Sequence, residues 1–194
     1  TIAIESDLAL LLQDMGNLAE AEPILRQILE TDRKLLGGDA VDVGIDLNNL
    51  GRLLGAKGQQ AAAEPLLRES VSILRRKHHS TLPFALGNLG ELLTNRGDFG
   101  AAEIVFEEPV PVGLREFGEK SQDVAKVRAK YGNCLLKQRK FEEAEPHLLA
   151  AFSVFRATLG EGNDRTVETA RLLVELYRTW GKEEAAATFR GVAG

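Results

Sequence analysis

The chain has 194 residues, and its 29 acidic residues outnumber its 24 lysines and arginines to give a formal net charge of −5. This length can bury a sizeable core, and the charge excludes a general nucleic-acid binder, which needs cations in excess to displace phosphate counterions. Cys134 is the one cysteine, so a disulfide framework and a cysteine-rich zinc site are excluded. No apolar run approaches the roughly 20 residues that span a bilayer.

Apolar residues recur every three or four positions along most of the chain, which predicts amphipathic helices. Pro23, Pro65 and Pro146 fall early in three of these helices. A proline costs little in a first turn, so we expect those helices to begin slightly later or with a tight turn. In chain order, the expected helices are 2–15, 18–36, 40–57, 60–77, 81–96, 99–117, 120–138, 141–159, 163–180 and 182–192.

The helix expected at 99–117 contains Pro109 and Pro111. A proline inside a helix removes a hydrogen bond and costs roughly 3 kcal/mol, so we expect a break or kink near 108–112. Two interpretations stay open for this segment. It is either a locally distorted helix or a hinge that contacts a partner.

An Ala-Glu motif recurs along the chain, and the segments that carry it begin at residues 16, 58, 97 and 139, with a partial fifth at 181. The successive spacings are 42, 39, 42 and 42 residues. A fixed period in this range is the signature of a repeat array. Two helices fit in each period, so the unit of the array is a helix–turn–helix.

Glycines mark two further positions of the repeat. Small residues in the first helix of a pair, such as Gly51 and Gly132, would let the second helix approach closely. A Leu-Gly or Phe-Gly pair, as at Leu36-Gly37 and Leu159-Gly160, is a helix stop. The second repeat lacks this glycine and has His79 instead.

These motifs resemble the tetratricopeptide repeat in its 42-residue form typical of kinesin light chains. The resemblance rests on Leu47-Asn48-Asn49-Leu50-Gly51, on Phe141-Glu142-Glu143-Ala144-Glu145-Pro146, and on Leu36-Gly37 with Asp42-Val43. It implies an all-α superhelix, an α-solenoid of about four and a half helix–turn–helix repeats. The array is expected to occupy residues 1–194 as one domain, with repeats at 2–37, 40–79, 81–118, 120–160 and 163–194.

The resemblance also implies a function, in which the first helices line a concave groove that binds an extended peptide or a partner helix. Asparagine side chains both donate and accept hydrogen bonds, so they can pair with an extended backbone, while Arg and Lys can select carboxylates. The groove positions carried over from the family are Asn48, Asn49, Arg52, Asn88, Glu91, Asn95, Lys130, Asn133, Lys137 and Arg171. Alternatively, Asn49 and Asn88 stabilise neighbouring repeats by hydrogen bonds between helices.

Catalysis has little support, because the chain has neither a nucleophile elbow nor a P-loop. We expect a non-catalytic scaffold for a protein or peptide partner, with no cofactor, no metal, no nucleic acid and no membrane insertion. The competing classes are a structural spacer or self-association arm, and a regulatory arm of a larger signalling protein. The lone cysteine fits the reducing cytoplasm.

Residues 1–15 already lie inside the first helix of a repeat. We therefore expect the chain to be part of a longer protein. The apolar face of this helix would then stack on an earlier repeat, and homo-oligomerisation through the terminal repeats stays open.

Overall fold

The computed structural model describes the backbone of residues 2–194, and their side chains except those of residues 2, 3 and 14. The helices lie within two residues of the expected bounds, apart from a break in one of them, and the prediction of an all-α fold is confirmed. They are α1 (Ile2–Asp14), α2 (Leu18–Leu36), α3 (Val41–Ala56), α4 (Gln60–Arg76), α5 (Leu82–Arg96), α6 (Phe99–Phe106), α7 (Pro109–Phe117), α8 (Gln122–Lys137), α9 (Phe141–Leu159), α10 (Asp164–Thr179) and α11 (Glu183–Ala193).

The helices form two compact units, residues 1–92 and residues 93–194, and the boundary falls within α5. In the first unit, α2 packs against α1 and α3, and α4 packs against α3. In the second unit, α9 packs against α8 and α10, and α11 packs against α10. Each helix thus packs mainly on its neighbours in the chain, as in a repeat array. That the whole of 1–194 forms one array with the repeat bounds given above stays a prediction.

The core of the second unit lies between α8, α9, α10 and α11. Leu148 and Leu173 are completely buried there, and the ring of Phe152 meets the ring of Phe189 edge-on, with 5.2 Å between their centroids. Each fully buried leucine contributes roughly 1.5–3 kcal/mol relative to an exposed one. The apolar face that the sequence spacing predicts therefore supplies the attraction between helices.

Glycines on α3 and α8 set the distance between the two helices of a repeat. A Cβ atom added at Gly51 would lie 2.7 Å from Cγ of Leu67, and one added at Gly132 would lie 2.7 Å from Cγ of Leu148. Both distances are far shorter than carbon–carbon contact. The close approach expected from the sequence is present in both units.

A left-handed residue begins the turn between the two helices of each repeat. Gly16, Gly58, Gly97 and Gly181 have φ between 75° and 85° at this position. Glycine adopts such angles without steric cost. Arg139 occupies the same position with φ of 61°, so its Cβ atom meets the crowding that the glycines avoid.

The glycine stops behave as expected at three of the four repeat ends. Gly37, Gly118 and Gly160 follow α2, α7 and α9 with φ between 79° and 87°. At the end of α4, where the glycine is missing, His78 takes φ of 49°. The histidine that stands in for the glycine in the backbone is therefore His78, one residue before the expected His79.

The break in the helix expected at 99–117 lies at residues 107–108, between α6 and α7. This is earlier than the predicted 108–112, and the prolines explain the difference. Pro109 is the first residue of α7 and Pro111 the third. The first N–H groups of a helix have no partner within it, so both prolines are tolerated once a new helix begins in front of them.

The three helices with early prolines do not begin later than their expected first residues. The helices begin at Leu18, Gln60 and Phe141, and each has a proline five residues further on, inside the helix. Each proline leaves the carbonyl four residues earlier without its helical donor. The carbonyls concerned belong to exposed residues, where water can replace the lost donor: Ala19, Ala61 and Glu142.

Substitution of Gly51 by alanine tests the close packing. Because the new Cβ would overlap Leu67, we expect Gly51→Ala to lower the free energy of unfolding by about 1–3 kcal/mol. Gly100 is the control, since a Cβ there meets nothing within 4 Å, and Gly100→Ala should leave stability unchanged or raise it by up to ~1 kcal/mol. Urea denaturation measures both changes, and equal effects would contradict the packing argument.

Substitution of Arg139 by glycine tests the turn. We expect Arg139→Gly to raise the free energy of unfolding by about 1 kcal/mol, because the left-handed conformation costs a side chain that much. Gln138 precedes it with φ of −84°, so Gln138→Gly should lower stability by about 0.5–1 kcal/mol. Thermal unfolding of both variants shows whether the two effects have opposite signs.

Candidate functional site

The predicted groove residues lie on α3, α5, α8 and α10, the first helices of their repeats. Most of them occupy three positions that recur in register, three and four residues apart, so that they share one helix face. The first position holds Asn49, Asn88 and Lys130, the second Arg52, Glu91 and Asn133, and the third Asn95 and Lys137.

We call the side chains at these three recurring positions the polar row. On α8, its members range from half-buried to exposed. Lys130 and Asn133 are half-buried, whereas Lys137 is exposed. At about 100° per residue, the three side chains lie within some 60° of one another around the helix. Lys137 makes no ion pair with any residue that the structure describes. Two cations and an amide therefore share one accessible face of the second unit.

The first unit holds Asn49 and Arg52 on α3, both half-buried, with Glu91 half-buried on α5. The side chain of Asn49 makes no hydrogen bond to any residue within the described part of the chain. Asn95 follows at the exposed end of α5 and belongs to the second unit. The donor and the acceptor of the Asn49 amide are therefore both unused among the described residues.

Two predicted groove asparagines bind each other. Asn88 Nδ2 donates a hydrogen bond to Asn48 Oδ1 at 2.8 Å, and both residues are buried. The bond joins α5 to α3, which are the first helices of successive repeats. Asn88 thus has the structural role that the sequence left open as an alternative, and its partner is Asn48 rather than Asn49.

Arg171, on α10, is exposed but directed towards the end of the chain. Its Nε donates a hydrogen bond to the carbonyl of Ala193 at 2.9 Å. In repeat register it corresponds to Asn48, not to Asn49. Arg171 is therefore apart from the three recurring positions of the polar row.

Polar contacts join the second helix of one repeat to the following repeat. Lys57 Nζ lies 2.5 Å from Glu22 Oε2, and Lys140 Nζ lies 2.6 Å from Glu103 Oε1. Lys57 and Arg26 lower the pKa of Glu22, while the bond to Glu103 raises the pKa of Lys140. These glutamates are therefore committed to contacts inside the fold.

Between α9 and α10, a tyrosine takes the place of the lysine in the contact with a glutamate of the preceding second helix. Tyr177 Oη donates a hydrogen bond to Glu145 Oε1 at 2.8 Å. Burial and the neighbouring carboxylate raise the pKa of Tyr177 to about 12. Its hydroxyl stays protonated and serves as a donor, so this group does not act as a base.

A buried pair of carboxyl groups lies between α2 and α3. Asp32 and Asp46 are 6% and 7% exposed, and one oxygen of Asp46 has no hydrogen-bond partner among the described residues. Burial, followed by the charge of Asp32 and the hydrogen bond to it, raises the pKa of Asp46 to about 7, with a smaller contribution from Asp42. The raised pKa means that the buried site favours the protonated form of Asp46.

Sequence reasoning missed this pair, although the repeat register contains the signal. Asp46 stands where the later repeats have Ala85, Val127 and Thr169, all buried. Asp32 likewise stands at the position of Leu74 and Phe155. An acidic residue at two core positions of adjoining helices predicts a buried carboxyl pair, once the repeats are superposed.

The second unit also has a polar residue at a position that is apolar and buried in other repeats. Arg128 occupies the register position of Leu47 and Leu86, and its Nε is buried without a hydrogen-bond partner in the described residues. Burial, and then the charge of Arg128, lower the pKa of His147 to about 4. The ring of His147 lies 4.6 Å from that of Tyr131, centroid to centroid. His147 is thus a neutral wall residue at neutral pH.

Across the described residues, no group of three or more His, Cys, Asp and Glu side chains is arranged to hold a metal ion. Among the described helices, none combines the length and the apolar character needed to span a bilayer.

Neutralisation of Asp46 tests the carboxyl pair. Because its folded pKa is about 7 and its unfolded value 3.8, its contribution to stability is fully present below about pH 3.8 and is lost as the pH rises through 7. We expect Asp46→Asn to raise the free energy of unfolding at pH 8 by about 1 kcal/mol or more, with a smaller gain at pH 5. Asp164, exposed in the first turn of α10, is the control: Asp164→Asn should cost a few tenths of a kcal/mol. A gain that does not change with pH would contradict this assignment.

Solved structures with the same fold come from kinesin light chain-like proteins. A crystal structure from Podospora anserina, described as a putative kinesin light chain with nearly identical TPR-like repeats, has 18% sequence identity. It covers 98% of this chain and 92% of its own, with a TM-score of 0.75, and a point variant of the same protein gives 0.77. The structure of BtubC (BKLC) from P. vanneervenii has 22% identity over 91% of this chain and 72% of its own, with a TM-score of 0.73.

A comparison with curated proteins gives no match. The family model described as Tetratricopeptide repeat matches residues 1–76 and 123–189, which is most of the sequence. The chain belongs to the tetratricopeptide repeat family, whose repeats are generally scaffolds for protein–protein interaction.

Proposed function

We propose that this chain is a non-catalytic scaffold that binds an extended peptide with acidic side chains at the polar face of a first helix, as on α3 in the first unit and on α8 in the second. The proposal is carried by one observation: accessible polar side chains recur in register on α3, α5 and α8, at positions that helix packing leaves partly open. A binding row needs this periodicity, because the backbone groups of an extended peptide also recur at regular intervals.

The chemistry of the row favours a particular kind of peptide. Asn49 and Asn133 each offer an amide that can both donate to and accept from a peptide backbone. Lys130 and Lys137 add positive charge on α8, which favours carboxylate side chains or a terminal carboxylate. Backbone pairing would then supply affinity, and the lysines would supply preference among sequences.

The competing function is that of a structural spacer, and the Asn48–Asn88 hydrogen bond favours it for those two residues. Since Asn88 is buried, its loss would disturb the fold as well as any groove. The groove hypothesis is therefore better tested on Asn133, which is half-buried, and Lys137, which is exposed. Cytoplasmic localisation, the lack of a nucleic-acid partner and homo-oligomerisation stay predictions.

The test is a fluorescence-anisotropy screen of the full chain against a library of unstructured peptides. We expect it to capture acidic peptides at micromolar affinity, and Asn133→Ala/Lys137→Ala to weaken their binding at least tenfold, about 1.4 kcal/mol. Lys120 is exposed in the loop before α8, so Lys120→Ala removes an equal charge outside the row and should bind like the parent.

Two results would contradict the proposal. One is the absence of any bound peptide at tens of micromolar. The other is an equal loss of binding in the Lys120→Ala control and the row variant, which would indicate general charge attraction. Circular dichroism on each variant separates loss of binding from loss of fold.

A further inference from the structure

The first repeat is joined to the second by the interface between α2 and α3. In the first unit, α1 packs against α2, and α2 packs against α3. Leu25 on α2 and Leu53 on α3 are at most 1% exposed, and each lies about 20° around its helix from Asp32 or Asp46, respectively. The buried carboxyl pair therefore lies on the same helix faces that hold the two repeats together.

The two ends of this interface are held by opposite kinds of contact. At one end, Lys57 Nζ lies 2.5 Å from Glu22 Oε2, so that unlike charges attract. At the other end, Asp32 and Asp46 are both buried, and one oxygen of Asp46 has no partner among the described residues. If both carboxyl groups were ionised, like charges would repel each other where little water screens them.

The charged groups that act on Asp46 in the described residues are Asp32, from α2, and Asp42, one turn earlier on α3. Both are acidic, so neither offsets the charge of an ionised Asp46. The cation next to Asp32 is committed elsewhere, because the guanidinium of Arg33 donates to both carboxylate oxygens of Glu69 on α4, at 2.8 and 2.9 Å.

The other helices packed against α3 direct neutral groups towards it. From α4, Ser70 Oγ donates a hydrogen bond to the carbonyl of Gly44. From α5, the amide of Asn88 donates to Asn48. A proton on the pair is therefore the means by which this interface avoids a buried negative charge.

The second unit contains the equivalent interface without titrating groups. Between α9 and α10, Phe155 stands at the position of Asp32 and Thr169 at the position of Asp46, and both are at most 2% exposed. The hydroxyl of Thr169 donates to the carbonyl of Arg165 at 2.7 Å. This interface has no proton to lose, so it serves as an internal reference for the first.

We propose that the Asp32–Asp46 pair is a pH-sensitive switch at the contact between the first two repeats. While the pair carries a proton, α2 stays packed against α3. When that proton passes to water, the two carboxylates repel each other, and α1 and α2 separate from α3 as a unit while the second unit stays folded. The switch holds whether or not the polar row binds peptides.

The titration of Asp46 places the switch near neutral pH. Its pKa is about 7 in the closed interface, against 3.8 for the exposed group. Because the closed value is the higher one, the stabilisation is fully present below about pH 3.8 and is lost as the pH rises through 7. The equilibrium constant for opening should rise roughly tenfold per pH unit between pH 5 and 7 and level off above pH 7.

Amide hydrogen exchange of the full chain at pH 5 and pH 8 tests the switch, after correction for the intrinsic pH dependence of exchange. We expect the protection of α1 and α2 amides to fall at least tenfold at pH 8. The amides of α9 and α10, on either side of the reference interface, should keep their protection.

Variants assign the effect to the pair. In Asp46→Asn, α1 and α2 should have equal protection at the two pH values, because the group that titrates is gone. Asp46→Ala puts in the residue type of Ala85 from the next repeat, and it should give the same result if the asparagine variant folds poorly. Asp164→Asn, the exposed control on α10, should keep the pH dependence of the parent.

Three outcomes would overturn the proposal. The first is that α1 and α2 are equally protected at pH 5 and pH 8 in the parent chain. The second is that α9 and α10 lose protection in parallel with them, which would indicate global unfolding. The third is that the pH dependence persists in Asp46→Asn.

Discussion

The contact between a first-helix glycine and a second-helix leucine sets the geometry on which the rest of the fold depends. Gly51 against Leu67 and Gly132 against Leu148 hold the two helices of a repeat so close that a single methyl group would not fit. The same contact recurs two periods later in the chain, so equivalent positions have equivalent surroundings. A residue whose type differs from that of its equivalents in the other repeats therefore indicates a local difference in packing or chemistry.

Most departures put a polar group where other repeats have an apolar one. Asp32 and Asp46 meet between α2 and α3, and Arg128 lies beside His147 in the second unit. Burial of such groups costs free energy unless they are paired. Asp46 reduces this cost through a raised pKa, which favours its uncharged form, and His147 does so by staying neutral. In both places, burial shifts the pKa towards the uncharged form of the side chain.

The sequence predicted the helices well because two local signals agree: the spacing of apolar residues, and glycines that adopt left-handed angles. Contacts between distant residues were less predictable. The hydrogen bond between Asn88 and Asn48 depends on how two first helices face each other, which no local pattern contains. The position of the helix break shows the same limit, since Pro109 and Pro111 were recognised as helix breakers but not as the first turn of α7.

The first helices carry two faces with different chemistry, and the fold separates them. Half-buried amides and cations such as Asn133 and Lys130 lie on one face, where directional hydrogen bonds can recognise a backbone. The face that stacks on the preceding repeat is apolar, and it recognises shape and area rather than sequence.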